Sequence, residues 1–410
     1  MSSELSYSSP EATRRPAHWG NWAAWTAWGL LFATMSVLIL AGSDHTVVTT
    51  YREAATQWIA GRDLYNDTGH GFLYLPIAAV LFAPFSWLPP VAGEIAWRLV
   101  AIGGFAFGVY RLCSIAEVPH KATTFALLTA ASLPPALACA RNGQSTLIMA
   151  GLMMIACVDL AERRRNRAVL CASLAVALKP LAVVLLLLFP FLDRRIGARV
   201  VLGLGTVLCL PFLMQRPSYV LDQYVKCGQM FRASSHCGVI ELWAQPFSVL
   251  GLLGVSVAES TQTVLRAGAG LGALALTWAA RRRCVPPRAA EYLLAISVLY
   301  ILLFNPRTEN NTYAMLGPVI GLALAAALAS KLSNRGEIIF LATLLVLLAA
   351  GDAVIRIFAA EGEHVWLSPS VATVFSIYLM YRLFFRERER MAKPTADPEC
   401  YREVYHSRAA

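Results

Sequence analysis

The chain has 410 residues, of which 57% are hydrophobic and 15% charged, and its formal net charge is +10. Soluble domains carry roughly 25% charged residues, so this composition excludes an ordinary soluble protein and indicates a single membrane domain. The positive charge does not indicate a nucleic-acid partner, because Arg and Lys are concentrated in short junctions between apolar segments, which face the cytoplasm under the positive-inside rule. These junctions are Arg163–Arg167, Arg194–Arg199, Arg281–Arg288, Lys331–Arg335 and Arg386–Arg390.

Apolar segments close to the ~20 residues that a helix needs to cross a bilayer recur along the whole chain. We therefore predict an all-α, polytopic membrane protein, a bundle of about 12 transmembrane helices. In this prediction residues 1–20 are a cytoplasmic tail, residues 21–385 the transmembrane domain and residues 386–410 a second cytoplasmic tail. Trp22–Gly42 is the first crossing, because no small-residue cleavage site of a signal peptide follows it.

The outer region after the first helix contains two segments that we do not expect to cross. Thr50–Tyr65 repeats apolar residues at helical spacing and should form an amphipathic helix on the membrane surface that ends at Gly61. Leu73–Leu88 is short and contains Pro76 and Pro84. Because an even number of crossings must join the neighbouring outer loops, this segment is predicted to be juxtamembrane.

Ala168–Leu192 has basic clusters at both ends, so both ends should be cytoplasmic. The segment must then enter the membrane and return, with its turn at Lys179 and Pro180. Each arm has about 11 to 13 residues, or about 16 to 20 Å of helix, which is less than the ~30 Å of the hydrocarbon core. Lys179 should therefore lie in a recess below the outer surface, where it could bind a lipid phosphate. The alternatives are a lysine that snorkels to the interface or one that pairs with a structural carboxylate.

Two polar outer loops are further candidates for a binding site. In the loop that begins at Asn305, Arg307 offers a planar fork for phosphate, and Glu309, Asn310 and Asn311 suit sugar hydroxyls. An ordinary wet turn is the alternative, although such a turn needs fewer polar residues. A smaller loop contributes the candidate residues Arg141, Asn142 and Gln144.

A transfer reaction needs a general base close to the acceptor hydroxyl. Asp44 is the predicted base, because it lies where the first helix meets the outer loop; a solvated or helix-terminal carboxylate is the alternative. The other acidic residues on the predicted outer side are Glu53, Asp63, Asp67, Asp222, Glu241, Glu259 and Glu309.

No motif of a soluble cofactor is present: the sequence has no Walker loop, no dinucleotide fingerprint and no nucleophile elbow. We expect no cofactor and no metal, since the nine cysteines show no metal-ligand spacing. Cys227 and Cys237 share one outer loop, and their spacing allows either a disulfide or two free thiols.

The outer motifs resemble glycosyltransferase family 87, the polyprenyl-phosphate-dependent hexosyl- and mannosyltransferases of GT-C architecture. The resemblance extends over about residues 44–320 and rests on the order of YREAATQWIAGRDLY, FLYLPIAAVLFAPFSWLP, RNGQSTLIMAGLMM and ALKPLAVVLLLLFPFLDRR, with YVLDQY and NPRTENNTY as further stretches. It implies a polyprenyl-phosphate sugar donor, normally of mannose, a glycan or glycolipid acceptor, and inverting transfer by one carboxylate. The site would face the extracytoplasmic side of a bacterial plasma membrane.

The resemblance also assigns residues. Lys179 matches the family's hairpin lysine and Gln144 its Gly-Gln pair, while Tyr51, Arg52 and Glu53 fall in the motif expected to bind substrate. One position departs from the family, because Val47 stands where its Asp is expected. Either the base has moved to Asp44, or Glu53 or Glu309 replaces it, or the activity has been lost.

Two other functions are compatible with apolar helices. A transporter or flippase for a lipid-linked or anionic substrate could use the same short hairpin and the same intramembrane lysine. A structural subunit of a membrane assembly would explain the helices but not the clustered Arg307 and Glu309. Against transport, the polar residues collect on one face of the membrane, and no inverted repeat is evident.

Overall fold

The computed structural model describes residues 17–65, 71–116, 118, 120–235, 243–330, 334–358 and 366–387. Within these ranges the chain is helical and has no strand. The first eight helices are α1 (Ala17–Leu40), α2 (Val48–Ile59), α3 (Pro76–Ser86), α4 (Pro90–Leu112), α5 (Lys121–Asn142), α6 (Thr146–Ala161), α7 (Arg165–Leu178) and α8 (Val183–Leu192). The others are α9 (Gly197–Cys209), α10 (Pro217–Ser235), α11 (Pro246–Leu252), α12 (Glu259–Arg283), α13 (Pro286–Phe304), α14 (Leu316–Ala329), α15 (Arg335–Phe358) and α16 (Leu367–Tyr381).

Eight helical stretches in the described ranges are long and apolar enough to cross a bilayer. They are Trp19–Leu40, Pro90–Leu112, Lys121–Asn142, Arg194–Leu213, Glu259–Arg283, Pro286–Phe304, Asn310–Ala329 and Leu367–Arg386. Pro76–Ser86, Thr146–Ala161 and Pro180–Leu192 are apolar but shorter. The predicted all-α, polytopic membrane protein is confirmed, whereas the number of twelve crossings stays a prediction.

Proline and glycine mark many of the helix ends. Proline at the first position is favourable because its ring fixes a helical φ and the first turn leaves its N–H unpaired in any case. Helices α3, α4, α10, α11 and α13 begin in this way. Gly61 and Gly143 follow α2 and α5 with φ of +65° each, a left-handed conformation that glycine adopts without steric cost. The predicted end of the first amphipathic helix at Gly61 is confirmed.

The membrane core is packed closely where small residues face one another. Helices α4 and α6 meet at glycines, and a Cβ added to Gly108 would lie 2.7 Å from the Cα of Gly151. Small residues let backbones approach in this way inside membranes, where dispersion contacts drive helix association. Helix α1 packs against α5, and the indole of Trp28 donates a hydrogen bond of 3.1 Å to Thr129.

Helices α2 and α3 pack together in a second hydrophobic core, which also includes residues of α4, α7 and α10. The apolar face of α2 includes the buried residues Tyr51, Ala55 and Trp58, while Ile59 is half exposed. Most of the face that we expected to meet lipid is therefore covered by protein. Helix α3 has 11 residues, or about 16 Å, which is less than the ~30 Å of the hydrocarbon core; that it does not cross stays a prediction.

Helix α10 holds the segment that follows α2 in place through a hydrogen bond and an ion pair. The side-chain oxygen of Gln223 accepts a hydrogen bond of 2.9 Å from the backbone of Leu64, and Lys226 Nζ lies 2.5 Å from Asp63 Oδ2. Burial acts to raise the pKa of Asp63, but hydrogen bonds from Lys226 and from the backbone of Tyr65 outweigh it and lower that pKa below its ordinary value. The carboxylate of Asp63 therefore stays charged near neutral pH.

Helices α7 and α8 form the predicted hairpin. Its base is closed by Arg165 and Asp193, whose Nε and Oδ2 are 2.5 Å apart. The arms of 14 and 10 residues are about 21 and 15 Å long, and Lys179 lies in extended backbone between them. We call the end of the bundle that holds Lys179 the site end and the end that holds Arg165 the basic end. At the basic end Arg111 also pairs with buried Asp159 at 3.0 Å.

Candidate active site

A chain of hydrogen bonds connects the hairpin lysine to the polar loop after α13. Lys179 Nζ donates to Thr146 Oγ1 at 2.8 Å, and Thr146 Oγ1 donates to Gln144 Oε1 at 3.4 Å. Gln144 Nε2 in turn donates to Glu309 Oε2 at 2.6 Å. Each donor in the chain points away from the lysine, so a cation and a carboxylate are joined at the site end through two neutral side chains.

Local backbone geometry places these side chains. Lys179 adopts φ −151° and ψ 118°, which ends α7 and directs the chain into the 3₁₀ turn Pro180–Ala182. Gln144 follows the left-handed Gly143 that ends α5, and Thr146 begins α6. Gln144 is 6% exposed. Glu309 precedes another 3₁₀ turn, Asn310–Met315, and its carboxylate meets Gln144 at the edge of the protein.

Two phenols line the same site. The hydroxyls of Tyr51 and Tyr74 are 2.9 Å apart, and the backbone N–H of Ser145 donates to Tyr51 Oη at 3.3 Å. Burial raises the pKa of Tyr51 well above its ordinary value and that of Tyr74 to about 12. Both phenols are therefore neutral near pH 7, and because one donates to the other, one O–H of the pair remains to donate to an anion.

An apolar groove leads away from this site. It has a volume of about 270 Å³ and lies between α7 and α9, with α3 at one end. Ala177 in its wall is two residues from Lys179, and Ile77 is three residues from Tyr74. Leu202, also in the wall, is 71% exposed, and on a transmembrane helix such a side chain faces lipid. The remaining apolar wall includes Leu81, Val169, Leu174, Val207 and Leu210.

Residues 72–306 match the model of Glycosyltransferase family 87, which is more than half of the 410 residues. The chain belongs to glycosyltransferase family 87. It is also similar to the polyprenol-phosphate-mannose-dependent alpha-(1-2)-phosphatidylinositol mannoside mannosyltransferase of Mycolicibacterium smegmatis, with 28% identity over 315 residues, 69% of this chain and 70% of that protein. The predicted family and the predicted class of enzyme, a glycosyltransferase, are confirmed, and the transporter alternative loses its support.

The family 87 match includes part of the site only. Tyr74, Gln144 and Lys179 lie within the matched residues, whereas Tyr51 precedes them and Glu309 follows them. The family match therefore does not identify the general base, which the resemblance left open.

Two predicted residues near the start of α2, Arg52 and Glu53, lie outside the hydrogen-bonded chain. Arg52 donates to the backbone oxygens of Phe85, Ser86 and Leu88, and so caps the end of α3, where carbonyls lack helical partners. The exposed Glu53 makes none of the contacts that join the site. Roles for these two residues in binding substrate stay predictions.

Asp44, the predicted base, lies apart from the hydrogen-bonded chain. Its side chain is 93% exposed, and Oδ1 is 3.0 Å from Nδ1 of His45. Val47, where the family Asp was expected, is nearer the site, since its N–H donates to the carbonyl of Asn142 at 3.0 Å. The position that a family carboxylate would occupy thus adjoins the site, but the side chain there is apolar.

The smaller predicted loop contributes mainly through its backbone. The side chain of Arg141 is exposed, while its carbonyl accepts a hydrogen bond of 2.5 Å from the guanidinium of buried Arg98. Arg98 also donates to Ala140, so it holds the end of α5 that carries Gln144. Arg141 and Asn142 therefore shape the backbone around Gln144, and their binding of substrate stays a prediction.

The loop after α13 presents its other predicted residues beside Glu309. The guanidinium of Arg307 lies over the ring of Trp243, 4.5 Å from its centroid. Arg307 Nε and Asn310 Oδ1 are buried without a hydrogen-bond partner among the described residues. Asn311 is half buried. Two unsatisfied polar atoms next to the carboxylate offer a donor and an acceptor to a ligand hydroxyl.

Sequence reasoning missed Tyr74, Ser145 and Thr146. Thr146 had a usable signal, because it follows the Gly-Gln pair and begins an apolar helix. Tyr74 lies two residues before α3, within the segment Leu73–Leu88 that we interpreted only as juxtamembrane. In the described part of the chain, no group of three or more His, Cys, Asp or Glu could hold a metal ion. Of the two loop cysteines, Cys227 is buried against the carbonyl of Tyr74, and Cys237 lies outside the described residues.

Proposed function

We propose that this glycosyltransferase moves a mannosyl residue from polyprenyl phosphate to a hydroxyl of a glycan or glycolipid, with inversion at the sugar carbon. The donor in the printed name of the mycobacterial relative supports the choice of sugar and carrier. The observation that carries the proposal is the hydrogen-bonded chain from Lys179 to Glu309 beside a lipid-facing groove. The site offers a cation for the leaving phosphate, a carboxylate that can accept a proton and an apolar groove for the isoprenoid tail.

Lys179 binds the donor phosphate in this proposal. Its ammonium is a compact point charge that suits phosphate, and its hydrogen bond to Thr146 fixes it in the turn of the hairpin. The hydrogen-bonded pair of Tyr51 and Tyr74 adds one neutral hydroxyl donor on the same side. The polyprenyl tail then leaves through the groove between α7 and α9. As the sugar–phosphate bond breaks, negative charge builds up on the phosphate, and the lysine stabilises that charge more in the transition state than in the ground state.

Glu309 is the general base in this proposal. Gln144 donates to Oε2 and orients the carboxylate, which leaves Oε1 to take the proton of the acceptor hydroxyl as that oxygen attacks. Arg307, Asn310 and Asn311 lie beside it and would bind acceptor hydroxyls. Because Lys179 and Glu309 are separated by two side chains, the sugar can lie between them, with phosphate leaving from one face and the acceptor attacking from the other.

The placement of charged residues supports an extracytoplasmic orientation of the site. Arg111 and Arg165 lie at the basic end, opposite the site end, and cytoplasmic ends are enriched in Arg and Lys. The site would therefore open to the extracytoplasmic side of a bacterial plasma membrane. Accessibility of single cysteines introduced at the two ends, probed in intact cells, tests this orientation.

The transfer reaction is tested with purified protein in detergent, polyprenyl-phosphate-mannose and a mannosylated acceptor. We expect mannose on the acceptor with the anomeric configuration opposite to that of the donor. Transfer in detergent, where there are no compartments, separates an enzyme from a transporter. Lys179→Ala should lower kcat about 10²–10³-fold, whereas Lys121→Ala at the basic end, an exposed control, should leave it unchanged. Retained configuration or an unchanged kcat in Lys179→Ala would refute the proposal.

A further inference from the structure

A second cation lies inside a candidate membrane span, away from the hydrogen-bonded chain. Arg266 is on α12, seven residues or about 10 Å from Glu259 in the first turn. Neighbouring apolar side chains face lipid, since Val264 is 70% and Leu271 is 69% exposed. A charged side chain at such a position is costly unless it has a partner, and it marks a candidate functional site.

The hydrogen-bond partners of Arg266 are neutral amides, and Glu259 adds a longer-range electrostatic attraction. Its Nη2 donates to Gln245 Oε1 at 3.3 Å and to Gln262 Oε1 at 3.0 Å. Both glutamines are buried, with 1% and 4% exposure. The guanidinium also lies over the ring of Phe247, and its Nε is buried with no hydrogen-bond partner in the described ranges. The amides fix the guanidinium without neutralising it, and because both bonds use Nη2, the N–H groups of Nη1 remain for a ligand.

The charge of Arg266 and its position on α12 indicate which ligand it binds. A guanidinium with a free N–H recognises carboxylate or phosphate oxygens. On a helix that faces lipid at the site end, the available anion is the phosphate of a membrane lipid. A guanidinium that merely snorkels to the interface would need no pair of buried glutamines to hold it.

The same segment connects Arg266 to the proposed general base. Gln245 is one residue from Ala244, whose N–H donates to the carbonyl of Thr308 at 2.7 Å. Glu309 is the next residue after Thr308. A lipid with its phosphate at Arg266 would therefore extend its sugar headgroup towards Glu309. The headgroup would pass Trp243, over whose ring the guanidinium of Arg307 lies.

We propose that Arg266, Gln245 and Gln262 bind the phosphate of an anionic glycolipid and that this lipid is the acceptor. The acceptor role rests on the proposed function, whereas binding of the lipid does not. The first test is native mass spectrometry of the full chain from nanodiscs of phosphatidylcholine alone or with phosphatidylglycerol. Arg266→Gln should weaken retention of phosphatidylglycerol about tenfold, the usual scale for one charge-assisted contact.

Two further variants make the binding test specific. Arg281→Gln, the same substitution at an exposed position at the other end of α12, should bind phosphatidylglycerol as the parent does. Gln262→Glu keeps the arginine but places a carboxylate beside it, and should also weaken binding. Inorganic phosphate added to the parent should not displace the lipid if the acyl chains contribute. Equal binding by Arg266→Gln and Arg281→Gln would overturn the site.

Kinetics then test the acceptor role. Arg266→Gln should raise KM for a glycophospholipid acceptor about tenfold and leave KM unchanged for the same glycan freed from its lipid and for the donor. If lipid binding falls but KM for the glycophospholipid does not change, the acceptor role is wrong. If the parent protein transfers no sugar at all, the proposed function fails, and the binding comparison alone decides whether the lipid site exists.

Discussion

Replacing Lys179 by alanine removes the only ammonium in the hydrogen-bonded chain of the candidate site. The side chain is half buried, and its Nζ lies 2.8 Å from Thr146 Oγ1. One preorganised donor aimed at charge that develops in the transition state contributes about 10²–10³-fold to kcat, or about 2.7–4 kcal/mol. We expect a loss of that size in Lys179→Ala, and a smaller loss in Lys179→Arg, which keeps the charge but changes its geometry.

The assay is single-turnover transfer from polyprenyl-phosphate-mannose at saturating donor, with thermal unfolding in detergent as the control for folding. Thr146→Val is the matched variant, since it keeps both the lysine and the approximate volume and removes one hydrogen-bond partner. It should lower kcat by about tenfold or less. An unchanged kcat in a folded Lys179→Ala variant, or a larger loss in Thr146→Val than in Lys179→Ala, would refute a direct role for the ammonium.

Two predictions concern stability. Asp63→Asn breaks the part-exposed pair with Lys226 and should destabilise the protein by about 1 kcal/mol or less at pH 7. The pKa of Asp63 is lowered on folding. The stability difference between Asp63→Asn and the parent should therefore vanish as the pH falls below about 4. A difference independent of pH would contradict it. Gly108→Ala should destabilise by about 1–3 kcal/mol, because its Cβ meets α6, whereas Gly103→Ala on the same helix meets nothing within 4 Å and should be neutral or stabilising. Thermal melting in detergent measures both.

Most of the fold could be predicted from hydropathy and from the placement of charged residues. They predicted the membrane helices, the short helix within Leu73–Leu88 and the hairpin that places Lys179 in its turn, because each depends on local composition against a fixed bilayer thickness. Periodicity also found the buried face of α2. It could not show what covers that face, since lipid and a neighbouring apolar helix select the same side chains.

The candidate site was predictable only in part, since its residues come from loops far apart in the chain. Gln144 and Glu309 were each singled out, but their contact joins positions 165 residues apart and depends on how the loops pack. Arg52 falls in the motif that was expected to bind substrate, yet its guanidinium donates to three backbone carbonyls at the end of α3. A sequence shows that a cation is present, but not whether the backbone already satisfies it.

The identity of the general base is the most direct test of the proposed mechanism. Glu309→Gln and Asp44→Asn each replace one carboxylate by the amide of the same size, and kcat for transfer to a mannosylated acceptor is compared with that of the parent protein. A general base contributes about 10²–10⁴-fold, so the account predicts a loss of that size in Glu309→Gln and parental kcat in Asp44→Asn. Full activity in Glu309→Gln together with an inactive Asp44→Asn would contradict it.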